Sequence, residues 1–431
     1  MHWKQPKDVV AEQPAQGELP LDRRGKMARS QPERRPQQSV RCAAGNSLMV
    51  VHVITDLTVV GGAEQMLLKL AQVLPDLGVD MSVVSLGGRG ELGAEIENAG
   101  VPVRSLQARS PRHLPAAVLA LTREIRARDP DIVQTWLYHG DFIGTIANAL
   151  AGRRTLVWNI RCSDIDLDLE NKNTAWIRWM LARASAVPNL VIANSQAGLH
   201  AHHALGYRPR SELIIPNGFD GSTFRPDPEA RARIRAELGV GSDQPLIGMA
   251  ARVAPMKDHE SFLQAARKLA QQRGDVVFAL AGAGTEPHSP LAGRAAALGL
   301  DGRVRMLGKR ADMAQVFAAF DVATLSSAHG EGFPNVLGEA MSCATPCVAT
   351  DVGDAAIIIR DTGYIVPPRS PQALAGAWRN MIDLDVTARR ALGLAARAHI
   401  LEHYEITSVA RQYFETYQRL AAANAGVPVH L

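Results

Sequence analysis

The sequence predicts an α/β protein built from two doubly wound, Rossmann-like halves. Three observations carry this. The chain has 431 residues, too many for one compact core, so two domains are expected. Short apolar runs rich in β-branched residues alternate with longer stretches of helical periodicity, the pattern of buried parallel strands joined by helices. The alternation breaks at "ELIIPNGFDGSTFRPD" (212–227), rich in Pro, Asn and Gly, and starts afresh at Pro245.

In the first half, "LMVVHVITDL" (48–57) reads as a buried parallel strand. A glycine pair then opens a helix whose apolar positions are Met66, Leu67, Leu70, Val73 and Leu74. Strands follow at "VDMSVVSL", "VPVRSL", "DIVQTWL", "TLVWNI" and "NLVIANS", with helices expected over 92–99, 115–128 and 175–186. In the second half the strands are "PLIGMAAR", "VVFALAG", "RVRMLG", "DVATLSS", "PCVATD" and "DTGYIVPP". Helices are expected over 259–271, after Pro334, from Pro371 and over 405–423. The expected division is a disordered basic tail (1–47), an N-terminal domain (48–217), a C-terminal domain (218–402) and a closing segment (403–431). The linker lies near 216–226, and the closing helix is expected to return to the first domain.

Composition narrows the function. Hydrophobic residues at 46% and charged residues at 21% are ordinary for a soluble globular chain. A net charge of +4 is too small to argue for nucleic acid, and no zinc-finger, RRM or basic-helix pattern is present. Cys42, Cys162, Cys343 and Cys347 are scattered, which fits a reducing compartment with small buried thiols rather than a disulfide framework. No apolar run approaches the ~20 residues that span a bilayer. The first 47 residues, rich in Arg, Gln, Pro and Glu, lack the apolar centre of a secretory signal. Met27 and Met49 are alternative starts.

The most informative stretch is "SSAHGEGFPNVLGEAMSCATPCVATD" (326–351), with Glu331 and Glu339 eight residues apart. Two carboxylates suggest acid–base chemistry, a metal site or hydroxyl recognition. Pro334 suits the first turn of a helix. The N–H groups of Gly332, Phe333 and Asn335 would then form an anion site at the helix N-terminus. Glu331 precedes that helix and Glu339 lies inside it, several ångströms along the axis at ~1.5 Å per residue. So placed, they grip two parts of one elongated ligand, with a phosphate between, better than they share a proton.

The string "EGFPNVLGEAM" resembles the E-x7-E signature of retaining glycosyltransferases of the GT-B fold, in the large family-4 group, and the resemblance runs from Leu48 to about Ala423. It implies that Glu331 contacts the donor-sugar hydroxyls. The amides of Gly332, Phe333, Pro334's neighbours Asn335 and Val336 would bind sugar and phosphate, and Glu339 would hold the ribose. "GGAE" (61–64) is similar to the glycine loop that approaches the diphosphate, which implicates Gly61 and Gly62. "ARVAPMKD" resembles the string that brings Arg252 and Lys257 to the diphosphate, with Ala251 replacing the usual Gly. Two such cations would stabilise a leaving diphosphate. "AGAG" and "RMLGKR" resemble strand-end loops that wall the nucleotide, implicating Gly282, Gly284 and Leu307. His139, in "QTWLYHGD", resembles the histidine that faces the donor sugar.

The resemblance implies a cytoplasmic enzyme of bacterial surface-polysaccharide or glycolipid synthesis. Its donor would be a UDP-sugar before a GDP-sugar, its acceptor a saccharide or lipid-linked saccharide. No second carboxylate is placed as a nucleophile, so a front-face mechanism is expected. Asp164, Asp166 and Asp168 imitate the D-x-D metal site of the other major glycosyltransferase fold. They are read instead as a polar loop near the acceptor, with no essential metal and no cofactor. The helix bearing Trp176, Ile177, Arg178, Trp179, Met180, Leu181 and Arg183 is read first as core packing. Its alternative is contact with the inner-membrane surface. A nucleotide-sugar epimerase on a similar fold and a non-catalytic nucleotide-sugar-binding protein are the competing classes.

Overall fold

A computed structural model describes residues 47–424, apart from Val60, Arg109 and 162–171. The first sheet contains β1 (Leu48–Ile54), β2 (Val79–Ser85), β3 (Val103–Ser105), β4 (Ile132–Trp136), β5 (Thr155–Ile160), β6 (Leu190–Ala193) and β7 (Glu212–Ile214). Its strands are parallel, in the order 3-2-1-4-5-6-7. The second contains β8 (Leu246–Ala250), β9 (Val277–Ala281), β10 (Val304–Gly308), β11 (Val322–Leu325), β12 (Cys347–Thr350) and β13 (Gly363–Val366). It is also parallel, in the order 10-9-8-11-12-13. The chain is thus an α/β protein with two Rossmann-like sheets.

The continuous apolar strands follow from burial on both faces. Successive side chains point to opposite sides. Accordingly Val50 and Ile54 enter one core of the first domain, Val51 and Val53 the other. In the second domain Leu246 and Ile247 divide the same way. Each sheet reverses its strand order once, between β1 and β4 and between β8 and β11. Loops leaving the carboxyl ends there diverge and open a crevice, the place where ligands bind in such sheets.

Two crossings join the halves, and they pair with each other. Phe219 N–H donates to the Tyr404 carbonyl at 2.8 Å, and Ile406 N–H to the Phe219 carbonyl at 2.9 Å. Beyond this bridge the helix Ile406–Asn424 packs Ile406, Val409, Ala410, Tyr413, Tyr417 and Leu420 into the core under β1 and β4.

Some elements depart from the sequence reading. The helix after Pro334 begins at Asn335, and Pro334 is its N-cap with extended φ/ψ rather than a first-turn residue. Part of the stretch read as breaking the rhythm forms the edge strand β7. Helices at Gln196–Ala204, Pro228–Glu237, Pro290–Ala297, Met313–Ala319 and Val386–His403 were not anticipated. They are short or rich in Ala, Arg and Gly, so their apolar stripes are too thin to register as a period.

Candidate active site

The loops after β8 and β11 build the centre of the site. After β8 the chain makes one 3₁₀ turn, Pro255–Lys257, and then Asp258, in the left-handed region at φ 48°, caps the helix His259–Gln272 through Ser261 N–H. Ser326 Oγ donates to the Lys257 carbonyl at 2.9 Å, and Ala328 N–H to the Met256 carbonyl at 2.8 Å. These bonds tie the two loops together. Lys257 Nζ thereby meets Glu331 Oε1 at 2.5 Å, and Ser327 Oγ donates to the same oxygen at 2.5 Å. Glu331 is buried. Arg252, on the same loop, is exposed and makes no ion pair with a described residue.

The β9 loop closes on the β8 loop. Gly282 has φ 136°, and a Cβ there would stand 2.2 Å from the Ala251 carbonyl oxygen. Only glycine permits this approach. Gly284 lies beside Val253 in the same contact, and Leu307, at the end of β10, packs on the second domain's core.

Beyond Glu331 the backbone N–H groups of Gly332, Phe333, Asn335 and Val336 make no hydrogen bond to a described residue. They crown the N-terminus of the helix Asn335–Ser342, where the peptide dipoles favour negative charge. Phe333 contributes backbone only, since its ring is buried between Phe219 (6.0 Å between centroids) and Tyr404 (5.4 Å). Glu339 follows one turn along. Its protein surroundings push its pKa up to about 7 by desolvation, against the opposing pull of Lys69.

The first domain meets this helix directly. Asn217 Nδ2 donates to Asn335 Oδ1 at 2.6 Å, and a Cβ on Gly62 would come 3.2 Å from Asn335 Nδ2. Gly61 is the N-cap of the helix Gly62–Val73. His139 lies in the first turn of the helix Leu137–Ala151, beside the β1–β4 crevice, where Gly140 N–H donates to Thr55 Oγ1 at 3.3 Å. Burial lowers its pKa, which keeps the imidazole neutral near pH 7. It makes no hydrogen bond or ion pair with Glu331, Lys257 or Arg252.

Four participants escaped the sequence reading. Lys69 interrupts the apolar run "MLLKLA" and donates to the Gly218 carbonyl at 2.9 Å, with its ammonium 5.2 Å from the Phe219 ring centre. That interruption was the available signal. Asn217 and Asp354 carried none, because their partners are distant in sequence: Asn335 for the first, and for the second the Gln196 and Ala197 N–H groups that donate to its carboxylate. Ser327 lies only four residues before Glu331, but a lone serine there has no distinguishing pattern. Among the described residues no three His, Cys, Asp or Glu side chains gather as metal ligands. Asp164, Asp166 and Asp168 lie outside the described residues. Cys343 and Cys347 are buried free thiols, and burial pushes Cys343 up to about 12.

Comparison with known proteins bears on these halves separately. Residues 60–222 match a model described as Glycosyltransferase Family 4, and residues 244–383 one described as Glycosyl transferases group 1. A D-inositol 3-phosphate glycosyltransferase from Kineococcus radiotolerans is 32% identical over 234 residues, covering 50% of this chain and 53% of that protein. The chain thus spans about half the length of the curated relatives it matches. Among solved structures, Anabaena HepE in complex with UDP superposes with a TM-score of 0.75 at 25% identity, covering 86% of this chain and all of that one. Sucrose-phosphate synthase from Thermosynechococcus elongatus shares the fold, with a TM-score of 0.74 at 19% identity over 87% of this chain and 100% of that one. Matched by glycosyltransferase models in both halves and by a UDP-bound structure across both sheets, the chain belongs to the glycosyltransferases of the GT-B fold.

Proposed function

We propose that the chain is a retaining transferase that moves a sugar from a UDP-sugar to a hydroxyl of a saccharide or lipid-linked saccharide, in bacterial surface-polysaccharide or glycolipid synthesis. One observation carries this reading: Lys257, Glu331 and an open helix N-terminus converge where β8 and β11 part. The arrangement fits a diphosphate on the amides and Lys257, a sugar on Glu331 and a ribose on Glu339. UDP in the HepE complex supports a uridine nucleotide as the donor's leaving group.

In this reading an acceptor hydroxyl oxygen attacks the anomeric carbon on the face from which the diphosphate departs. The bond from that carbon to the β-phosphate oxygen breaks, and the hydroxyl proton passes to the departing phosphate. Arg252, Lys257 and the Gly332–Val336 amides stabilise the growing negative charge. Glu331 and His139 orient the sugar. No step calls for a metal.

The exposed Trp176 and Trp179 support placing the acceptor at a lipid surface. The relatives' name favours a second acceptor, a phosphorylated cyclitol. Nucleotide release from a panel of UDP- and GDP-sugars, with and without saccharide acceptors, tests the reaction. A UDP-sugar should be turned over, and Glu331→Ala should lower transfer by about 100-fold or more, the scale of losing one group that acts in the transition state. Undiminished transfer by Glu331→Ala would overturn the donor assignment. Release of no nucleotide, with interconversion of sugars instead, would favour the epimerase.

A further inference from the structure

The first domain buries a cation that the proposed chemistry does not use. Arg161 directly follows β5, at the carboxyl edge of the first sheet. Its Nε, Nη1 and Nη2 atoms are all buried, and none makes a well-aligned hydrogen bond to a described residue, the nearest polar partner being the Tyr413 hydroxyl. A guanidinium has five N–H donors, and a native interior seldom leaves such donors without a water, ion or ligand to accept from them.

Its neighbours are committed elsewhere. The guanidinium carbon lies 5.0 Å from the centre of the Trp136 ring, at the end of β4, which backs it. Glu64 is near enough to act on it electrostatically, but that carboxylate turns back onto the backbone N–H groups of Gly61 and Glu64 itself. The Tyr413 hydroxyl is close enough to give Arg161 one weak hydrogen bond, but it also accepts from Asn159 Nδ2 at 3.1 Å, so it satisfies at most one of the guanidinium's donors. Lys69, a second cation in range, spends its ammonium on Gly218. Arg161 as a whole residue is only partly buried, although its head group is enclosed.

From this geometry we infer that Arg161 is a binding residue for an anionic group, a phosphate monoester or a carboxylate, carried by the acceptor. The inference rests on the proposed transfer reaction, in which the first domain holds the acceptor. The donor's diphosphate has its own cations and amides on the second domain. A planar fork of donors, backed by an aromatic ring, matches a phosphate or carboxylate edge and gives charge-assisted bonds. A neutral sugar hydroxyl would leave the buried positive charge uncompensated.

The test is calorimetric binding to the intact chain saturated with UDP, using inorganic phosphate, glucose 6-phosphate, glucuronate and glucose as probes. At least one charged probe should bind about tenfold tighter than glucose, or more, as expected for hydrogen bonds to a charged group. Arg161→Met should abolish that preference and leave UDP affinity unchanged, whereas Arg161→Lys should keep part of it. Equal binding of glucose and every charged probe by the wild type would overturn the proposal, whatever the variants do. So would a preference that survives in Arg161→Met. Loss of UDP affinity in Arg161→Met would also overturn it, by assigning the guanidinium to the donor. Should Arg161→Met fail to fold by circular dichroism, the wild-type ranking and Arg161→Lys decide. Failure of wild type to bind UDP would count against the transfer reaction, and the ranking of probes measured without UDP would then judge the anion site alone.

Discussion

Glu331 is held by a lysine and a serine hydroxyl, whereas Glu339 faces its surroundings with only distant help from Lys69. The difference sets their chemistry. Glu331 and Lys257 neutralise each other, so in the proposed donor complex the pair would divide, the ammonium turning to phosphate and the carboxylate to sugar hydroxyls. Glu339 titrates at about 7 because burial penalises its charge. Ribose hydroxyls donate, so they select the ionised form. A carboxylate with a raised pKa must lose its proton to bind them. Affinity for uridine, which carries no phosphate titrating in this range, should therefore rise as pH increases from 6 to about 7 and level off above 8. The limiting slope is tenfold per pH unit below the pKa. Glu339→Gln should bind more weakly and without that slope. Calorimetry of uridine at pH 6, 7 and 8 provides the check, and a flat wild-type profile would remove Glu339 from the ribose.

The elements that position the site were readable where they satisfy local rules. The β1, β4, β8 and β11 strands are apolar runs bounded by turns, and the signature string lies at the end of one of them. Other parts depend on contacts across the chain. Gly338 looks like a poor helix residue, yet a Cβ there would stand 2.1 Å from the Phe219 ring, a residue of the linker. No local pattern reveals that contact. The Lys172–Ala184 helix shows the same limit. Core packing holds for Ile177 and Leu181, which are buried. Trp176 and Trp179 are 54% and 49% exposed, and the adjoining helix, which meets Trp176 through Phe142, also exposes Ile146 and Leu150. The Arg183 guanidinium lies 3.6 Å from the Trp179 ring centre. Interfacial aromatics among cations suit anionic lipid. The chain should float with phosphatidylglycerol vesicles and much less with phosphatidylcholine alone, and Trp176→Ala with Trp179→Ala should lower the bound fraction several-fold. No helix among the described residues is long and apolar enough to cross a membrane, so binding would be at the surface. Equal flotation of wild type and variant would dismiss this face as a lipid contact.

At the scale of the molecule, the paired crossings at Phe219 and Tyr404–Ile406 join the halves, where a hinge is expected, and a separate contact fastens them. The Asp354 carboxylate, from the second domain, accepts from Gln196 N–H at 2.9 Å and Ala197 N–H at 3.0 Å. These open the first-domain helix Gln196–Ala204, whose own cap is Ser195. A carboxylate on a helix N-terminus is favoured by two charge-assisted bonds and by the dipole. Asp354 N–H also donates to the Gly332 carbonyl at 2.9 Å, so the fastening residue is bonded to the loop expected to meet phosphate. These bonds lead us to expect that domain closure and donor binding are linked: a ligand that orders the Gly332 loop would also steady the carboxylate that holds the first domain. Asp354→Ala removes both side-chain bonds without touching the donor residues. Bonds to a charged group contribute about 1.5–3 kcal/mol, enough to lower the closed population by about tenfold or more. The variant should show a larger radius of gyration in small-angle scattering and a raised donor KM. Its hydrolysis of donor relative to transfer should increase, because a cleft that closes less excludes less water. An unchanged radius together with an unchanged KM would show that Asp354 is a local cap and that closure is held by the hinge alone.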